Sequence, residues 1–198
     1  MIRESDVISY FDQKAADWDS RMVRNEAVIA SILDHADIHP GMDILDVACG
    51  TGILIPDYLK RRASSITGID ISPNMIAEAE KKFRQPEVTL ICTPAETYEP
   101  EKKFDAIMVY NALPHFRDPQ ALIAHLSDLL KPDGTLTVAH GLSRKRINEH
   151  HAGMNTSLSE DLMSIEELSE LFSEFLEVIY TNSDEQSYQA TGRKHAQI

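Results

Sequence analysis

The residues Met42-Asp43-Ile44-Leu45-Asp46-Val47 form a short apolar run that stops at Ala48-Cys49-Gly50-Thr51-Gly52, and a second run, Ser65 to Ile69, stops on Asp70. A strand feeding a glycine turn lets the backbone approach a ligand that any Cβ would exclude. Asp70, twenty positions past Gly50, stands where an acid at the end of the neighbouring strand can accept hydrogen bonds from ribose hydroxyls. Together these features point to an α/β sheet with a nucleoside ligand beyond the carboxyl ends of its strands.

The rest of the chain alternates accordingly. From Asp6 to about Ala36 apolar residues recur at spacings of three and four, which predicts two helices before the first strand. Ile53 to Arg62 suits a helix, and Ser72-Pro73 opens another as N-cap and first helical residue, with Met75, Ile76, Ala79 and Phe83 as its stripe and an end before Pro86. Val88 to Cys92, Phe104 to Tyr110 and Thr135 to Ala139 read as further strands. Between the last two lies a helix, Pro119 to Leu130, stopped by the turn Lys131-Pro132-Asp133-Gly134. Ser164-Ile165-Glu166-Glu167 is a capping box, and Leu176 to Tyr180 and Gln186 to Thr191 read as a hairpin around Asn182-Ser183-Asp184-Glu185. The expected fold is α/β: a doubly wound, mostly parallel seven-stranded sheet with a C-terminal antiparallel hairpin. At 198 residues we expect one domain over 1–198, with 1–38 as an N-terminal helical lid and 39–198 as the α/β core.

A net charge of −13 repels the phosphates of nucleic acids and of an anionic membrane, and the basic runs Lys60-Arg61-Arg62 and Arg144-Lys145-Arg146 suit solvated helix faces. Neither nucleic acid nor membrane is therefore an expected partner, and a monomer or homodimer is expected. The two cysteines, Cys49 and Cys92, lack the spacing of a zinc or redox motif. The charged N-terminus has no apolar core of signal-peptide length, and no apolar run of membrane-spanning length occurs, so the expected location is cytoplasmic.

The type of nucleoside follows from what the turn lacks. A dinucleotide fingerprint wants a third small residue, so that a helix N-terminus can meet a pyrophosphate, but here that position is Ile55, followed by Pro56. Asp46 adds negative charge near the turn, which suits a cationic amino-acid ligand better than a phosphate. The other reading of Asp46 is a carboxylate satisfied by backbone amides.

Ile44 to Gly52 resembles motif I of class I S-adenosylmethionine-dependent methyltransferases, and Gly68-Ile69-Asp70-Ile71-Ser72-Pro73-Asn74-Met75 is similar to the segment that follows it. Phe104 to Ile107, Leu113 to Asp118 and Leu129 to Leu136 resemble the rest, closest to the ubiquinone/menaquinone and small-molecule branch, over about Tyr10 to Ala139. The resemblance implies a Rossmann-like methyltransferase fold and S-adenosylmethionine as donor, with S-adenosylhomocysteine as product. It implies Gly50 and Gly52 against the methionine part of the donor, Asp46 near its amino group, Asp70 on the ribose and Met75 beside the adenine, with Ala48, Ile71 and Asn111 as further cofactor-binding candidates. Tyr10, Phe11 and Trp18 match an N-terminal lid, or else are core aromatics of an amphipathic helix. The chain departs from the pattern after the third strand, where Pro94 of Thr93-Pro94-Ala95-Glu96 stands at the usual place of an adenine-binding acid. Proline has no accepting side chain. The backbone amide of Ala95 and the side chain of Glu96 are the substitutes.

Methyl transfer from a sulfonium is an in-line displacement in which positioning supplies much of the acceleration, and a histidine base helps when the nucleophile is a hydroxyl or an acidic carbon. Of the eight histidines, His115, His140 and the pair His150-His151 lie where an acceptor belongs. His115 and His140 are the candidate catalytic residues. If Ser143 to His151 is helical, Arg144, Asn148 and His151 share a face and form a candidate acceptor-pocket wall. The competing readings are that His115 anchors its loop, His140 caps a strand and His150 and His151 are solvated. His115, His140 and His151 together are candidate metal ligands, although their spacing matches no local motif. The resemblance implies that Asn111 points to the mouth where donor and acceptor meet; related amino- and base-methylating enzymes carry an acidic or asparagine-led tetrapeptide ending in an aromatic here, and Leu113 at the third place of Asn111-Ala112-Leu113-Pro114 disfavours nucleic-acid bases as acceptors. The resulting expectation is methyl transfer to a small molecule. The alternatives are a non-catalytic module binding the same nucleoside, a metal-assisted methyltransferase and a nucleotide-dependent oxidoreductase.

Overall fold

The computed structural model describes residues 1–152 and 157–196. The N-terminal region holds α1 (Glu4–Lys14), a 3-10 turn (Ala15–Asp17), the single-turn α2 (Trp18–Arg21) and α3 (Glu26–His35). Three α-helices therefore stand where periodicity predicts two, because the pattern breaks in the 3-10 turn. The alternating part runs β1 (Asp43–Val47), α4 (Ile55–Lys60), β2 (Ser65–Asp70), α5 (Pro73–Lys82), β3 (Val88–Cys92), β4 (Phe104–Tyr110), α6 (Pro119–Asp128) and β5 (Leu130–His140). The end of the described chain holds α7 (Arg144–His151), α8 (Ile165–Ser173), β6 (Glu177–Ser183) and β7 (Tyr188–Arg193).

The strands form one seven-stranded sheet in the order β3-β2-β1-β4-β5-β7-β6. The pairs from β3 to β5 are parallel, and β7 runs antiparallel between β5 and β6. The expected turn at Lys131–Gly134 is absorbed into β5. Leu130 pairs with Phe104 and Thr135 with Ala106, so the intervening residues bulge out, with Asp133 at φ 63°.

Period-2 alternation sorts the central strands into two cores. Leu45, Val47, Ile107 and Val109 pack with α6 and α8 through Leu122, Leu126 and Phe172. Ile44, Ala106 and Met108 pack on the other face with α3 and α4 through Ile29, Ile32 and Tyr58. Asp46 shares the parity of Ile44, which turns it toward the α3/α4 layer. At the opposite end of the strands from the glycine turn, Lys131 bridges Asp43 and Asp105 at 2.9 and 2.8 Å. The Asp43 carboxyl loses solvation there, but Ser65, Lys131 and Lys102 hold it far below the usual carboxylate range.

The helix caps are local and legible. Ser72, Asp118, Ser143 and Ser164 each accept from a backbone amide of the first turn of α5, α6, α7 and α8, and Ser164 with Glu167 completes the capping box. Among the described residues no helix is long and apolar enough to cross a membrane.

Candidate active site

The sheet order reverses between β1 and β4, and a cavity of about 740 Å³ opens there, beyond the carboxyl ends of β1, β2 and β4. Ligand crevices of doubly wound sheets form at this switch point, and the volume lies within the range of small-molecule pockets, roughly 300–1,000 Å³.

The turn after β1 places three alternating residues in left-handed backbone: Ala48 at φ 53°, Gly50 at 55° and Gly52 at 84°. The amide of Cys49 donates to the Ile69 carbonyl at 3.0 Å and that of Gly52 to the Cys49 carbonyl at 2.8 Å. A Cβ on Gly50 would meet nothing within 4 Å, so Gly50 leaves open the space of the cavity it lines. A Cβ on Gly52 would meet Phe83 at 2.6 Å and Ile55 at 2.8 Å. Gly52 is thus required by the turn and by packing behind it, and it is not on the cavity wall.

Asp70 is the hub of this end. One carboxylate oxygen accepts from the Gly50 amide and the other from the Ser72 amide, both at 2.8 Å. Burial raises its pKa, the amides of Ser72, Gly50 and Ile71 oppose the rise, and nearby Asp12 adds to it. A carboxylate has about four lone-pair sites, so Asp70 keeps acceptor capacity for a diol beside these amides. Ile71, Met75, Ala95 and Glu96 continue the wall on the β2–β3 side, while Ala48 and Asn111 line it at the turn and after β4. Asn111 is itself left-handed, at φ 56°, and its side chain accepts from the Gly141 amide at 2.9 Å.

Asp46 lies beneath the turn and not on the wall. It is 2% exposed, its Oδ2 lacks a hydrogen-bond partner among the described residues, and burial together with Asp70 pushes its pKa up to about 8. A buried carboxyl without a counter-charge holds a proton at neutral pH.

Trp18 and Phe11 line the cavity from the N-terminal region; Tyr10 packs edge-on against Phe11 at 5.2 Å outside it. Charge pins this region down. Asp12 accepts from the Ser72 hydroxyl at 2.5 Å and the Asn74 amide at 3.1 Å at the start of α5. Asp19 accepts from Thr51 in the glycine turn and from Lys82, and Arg24 reaches the Ile53 carbonyl and Asp57. The sequence reading missed these anchors. By contrast, α3 buries Val28, Ile29, Ile32 and Leu33 in the core layer. The part of 1–38 that covers the cavity therefore ends before α3.

The histidines separate. The His115 ring lines the cavity, its Nδ1 lies 2.8 Å from the Leu158 carbonyl, and Phe11 meets it edge-on at 5.1 Å. Burial lowers its pKa to about 4, the Leu158 carbonyl opposing and His151 and His150 adding. His140 is 2% exposed behind the wall against Tyr188, its Nε2 without a partner among the described residues, and burial, helped by His115 and His151, lowers its pKa to about 3. His151 lies 5.4 Å from His115, ring to ring. Of the predicted acceptor-side residues only His115 lines the cavity; His151, Arg144 and Asn148 do not. Arg144 donates to the carbonyls of Leu162 and Met163, and Asn148 pairs with the main chain of Leu162. Among the described residues no group of three His, Cys, Asp or Glu side chains is arranged to hold a metal ion.

Residues 44–134 match the family model described as a methyltransferase domain. A malonyl-[acyl-carrier protein] O-methyltransferase of Acetivibrio thermocellus is 32% identical over 139 residues, covering 69% of this chain and 49% of that protein. A ubiquinone biosynthesis O-methyltransferase of Rhodopseudomonas palustris is 31% identical over 101 residues, covering 50% of this chain and 40% of that one. The chain thus spans about half the length of the curated relatives it matches. The N-methyltransferase NodS of Bradyrhizobium japonicum, solved with S-adenosyl-L-homocysteine, superposes with a TM-score of 0.74 at 16% identity over 95% of this chain and 98% of that one. Residues 44–134 of this chain therefore form a methyltransferase domain, carried on the class I methyltransferase fold.

Proposed function

We propose that the chain transfers a methyl group from S-adenosylmethionine to a small-molecule acceptor. The observation that carries this reading is the joint presence, at one switch-point cavity, of an open glycine turn, a buried acid hub and an orphaned carboxyl beneath them. Asp70 would hold the ribose diol, the Gly50 turn would cradle the methionine part, and Met75, Ile71 and the Ala95 amide would bracket the adenine. Asp46 fits a cationic amino-acid group: its Oδ2 has no partner among the described residues, and an ammonium above the turn would supply the missing charge. The donor supplies an activated methyl carbon; the nucleophile forms a bond to it while the carbon–sulfur bond breaks and its electron pair stays on sulfur.

The relatives' names support small molecules or carrier-bound acyl groups as acceptors. The net charge of −13 favours a partner other than nucleic acid or membrane, and the free Cys49 and Cys92 accord with a reducing, cytoplasmic setting. We read the whole of 1–198 as one domain acting as a monomer or homodimer, with residues 1–24 as the lid over the cavity. Calorimetry with S-adenosylhomocysteine tests the reading: saturable binding is expected, and absence of binding at millimolar ligand would overturn it.

A further inference from the structure

At the acceptor end of the cavity one imidazole is held in a single tautomer. The His115 Nδ1 faces a carbonyl, Leu158 O at 2.8 Å. A carbonyl only accepts, so Nδ1 carries the ring's proton and the Nε2 of the neutral imidazole carries a lone pair. The ring lines the cavity and is gripped edge-on by Phe11 at 5.1 Å, with Phe11 in turn 5.5 Å from Trp18. Ile2, Val7 and Phe116 complete apolar surroundings, and the charged side chains on this wall, Arg3 and Arg117 among them, are exposed.

Other candidate polar groups nearby are off the wall or engaged elsewhere: His151, 5.4 Å away ring to ring, is not among the residues lining the cavity. His140 is sealed behind the wall, and Asn111 spends its side-chain oxygen on the Gly141 amide. Arg144 and Asn148 are committed to the main chain of 162–163. Leu158 belongs to a strap, 157–163, that is fixed on three sides. The Arg3 amide donates to the Ser157 carbonyl at 2.9 Å, the Glu160 amide to the Pro114 carbonyl at 2.9 Å, and the Leu162 amide to Asn148 at 2.8 Å. The tautomer of His115 is thus imposed by main chain held in place from elsewhere.

Resting on the donor reading above, we propose that His115 is a specificity-determining residue whose Nε2 accepts a hydrogen bond from the O–H or N–H of a neutral acceptor with an apolar, aromatic-compatible body. Burial among aromatics keeps the imidazole uncharged. An uncharged acceptor nitrogen selects a protic nucleophile and places its remaining lone pair for attack on the methyl carbon. A site built to accept such a proton discriminates against the analogue that lacks it.

Phenol and anisole are probes with the same aromatic body, and only phenol donates. Their affinities for the full chain saturated with S-adenosylhomocysteine can be compared by ligand-observed NMR. Phenol should bind about fivefold more tightly, the worth of one ordinary hydrogen bond. His115→Asn retains a donor for the Leu158 carbonyl but lacks the Nε2 lone pair, so it should bind the nucleoside as before and lose the preference. His115→Gln places an amide oxygen near the Nε2 position and should restore it. Equal binding of the two probes to the unsubstituted protein, a preference surviving in His115→Asn, or no binding of either probe would overturn the proposal. Failure of S-adenosylhomocysteine itself to bind would instead overturn the donor reading on which it rests.

Discussion

The two ends of the cavity are built from different materials. At the donor end the chemistry is carried by backbone: left-handed positions at Ala48, Gly50 and Gly52, and an aspartate whose oxygens are set by the amides of Gly50 and Ser72. All of it hangs on β1 and β2, whose parallel register pairs Asp46 with Gly68 and Val47 with Ile69. At the acceptor end the wall is assembled from the first residues of the chain and the loop after β4, and the strap at 157–163 braces both from behind. A site that must hold one fixed ligand is written locally into adjacent strand ends, whereas a site for a variable ligand is written into loops that meet only in space.

The comparison is broken most severely at Asp70. Asp70→Ala should weaken S-adenosylhomocysteine binding about 100-fold, because two charge-assisted hydrogen bonds worth roughly 1.5 kcal/mol each are lost together with the brace on the Gly50 amide. Calorimetry reads this directly, and an unchanged dissociation constant would remove Asp70 from the site.

Asp46 gives the next effect, and its sign depends on pH. Burial lifts its pKa to about 8 in the ligand-free fold, above the ordinary value of about 3.9, so the folded chain binds a proton that the unfolded chain has released. The stability tied to that proton is complete below about pH 4 and is lost as pH rises through about 8. An ammonium ligand favours the carboxylate, so binding expels the proton. Affinity for S-adenosylhomocysteine should therefore climb by up to about tenfold per pH unit below 8 and then flatten. In Asp46→Asn the climb should vanish, while the melting temperature of the ligand-free protein at pH 8 rises relative to the parent. An equal pH profile in both proteins would mean that the ligand does not feel Asp46.

This division also explains what was legible in the sequence. Glycine spacing, the acid after β2 and period-2 alternation are short-range signals, and they sufficed for the sheet, the turn and the hairpin. Asp46 was legible as an acid near the turn, but its orientation toward the α3/α4 layer follows from its parity with Ile44, which the strand pattern contained. The face shared by Arg144 and Asn148 was real, yet its partners were the carbonyls of Leu162 and Met163, and main-chain acceptors leave no mark in side-chain identity. His115 was one of four acceptor-side histidines until the Leu158 carbonyl, 43 residues further on, distinguished it. The lid anchors Asp12 and Asp19 look like ordinary surface acids in an acidic chain.

Those anchors lie between the two ends and should give a smaller, dynamic effect. Asp19 is half-exposed, so its pairs with Thr51 and Lys82 contribute modestly, within the range of about 0–1 kcal/mol for surface ion pairs. Asp19→Ala should speed hydrogen exchange in residues 4–21 and weaken S-adenosylhomocysteine binding by about threefold, leaving the exchange of β1 and β4 unchanged. Slow exchange retained in α1 would mean that Asp12 and Arg24 hold the lid without Asp19.

The smallest expected effect concerns Ala48. It holds φ 53° at the first of the three left-handed positions in the turn, where an L side chain costs roughly 1–2 kcal/mol relative to right-handed backbone. Glycine would remove that cost and return about 0.5–1 kcal/mol through the greater freedom of the unfolded chain. Ala48→Gly should therefore stabilise the protein by about 0.5–1 kcal/mol, seen as a higher urea midpoint at constant slope. The same substitution tests how rigid the donor end is before ligand arrives. If the turn already holds its left-handed geometry, stability rises and nucleoside affinity stays level. If affinity rises in step with a flat midpoint, the free turn relaxes away from this geometry and the ligand restores it. That result would bring the donor end closer to the acceptor end than the backbone hydrogen bonds of Cys49, Gly50 and Gly52 imply.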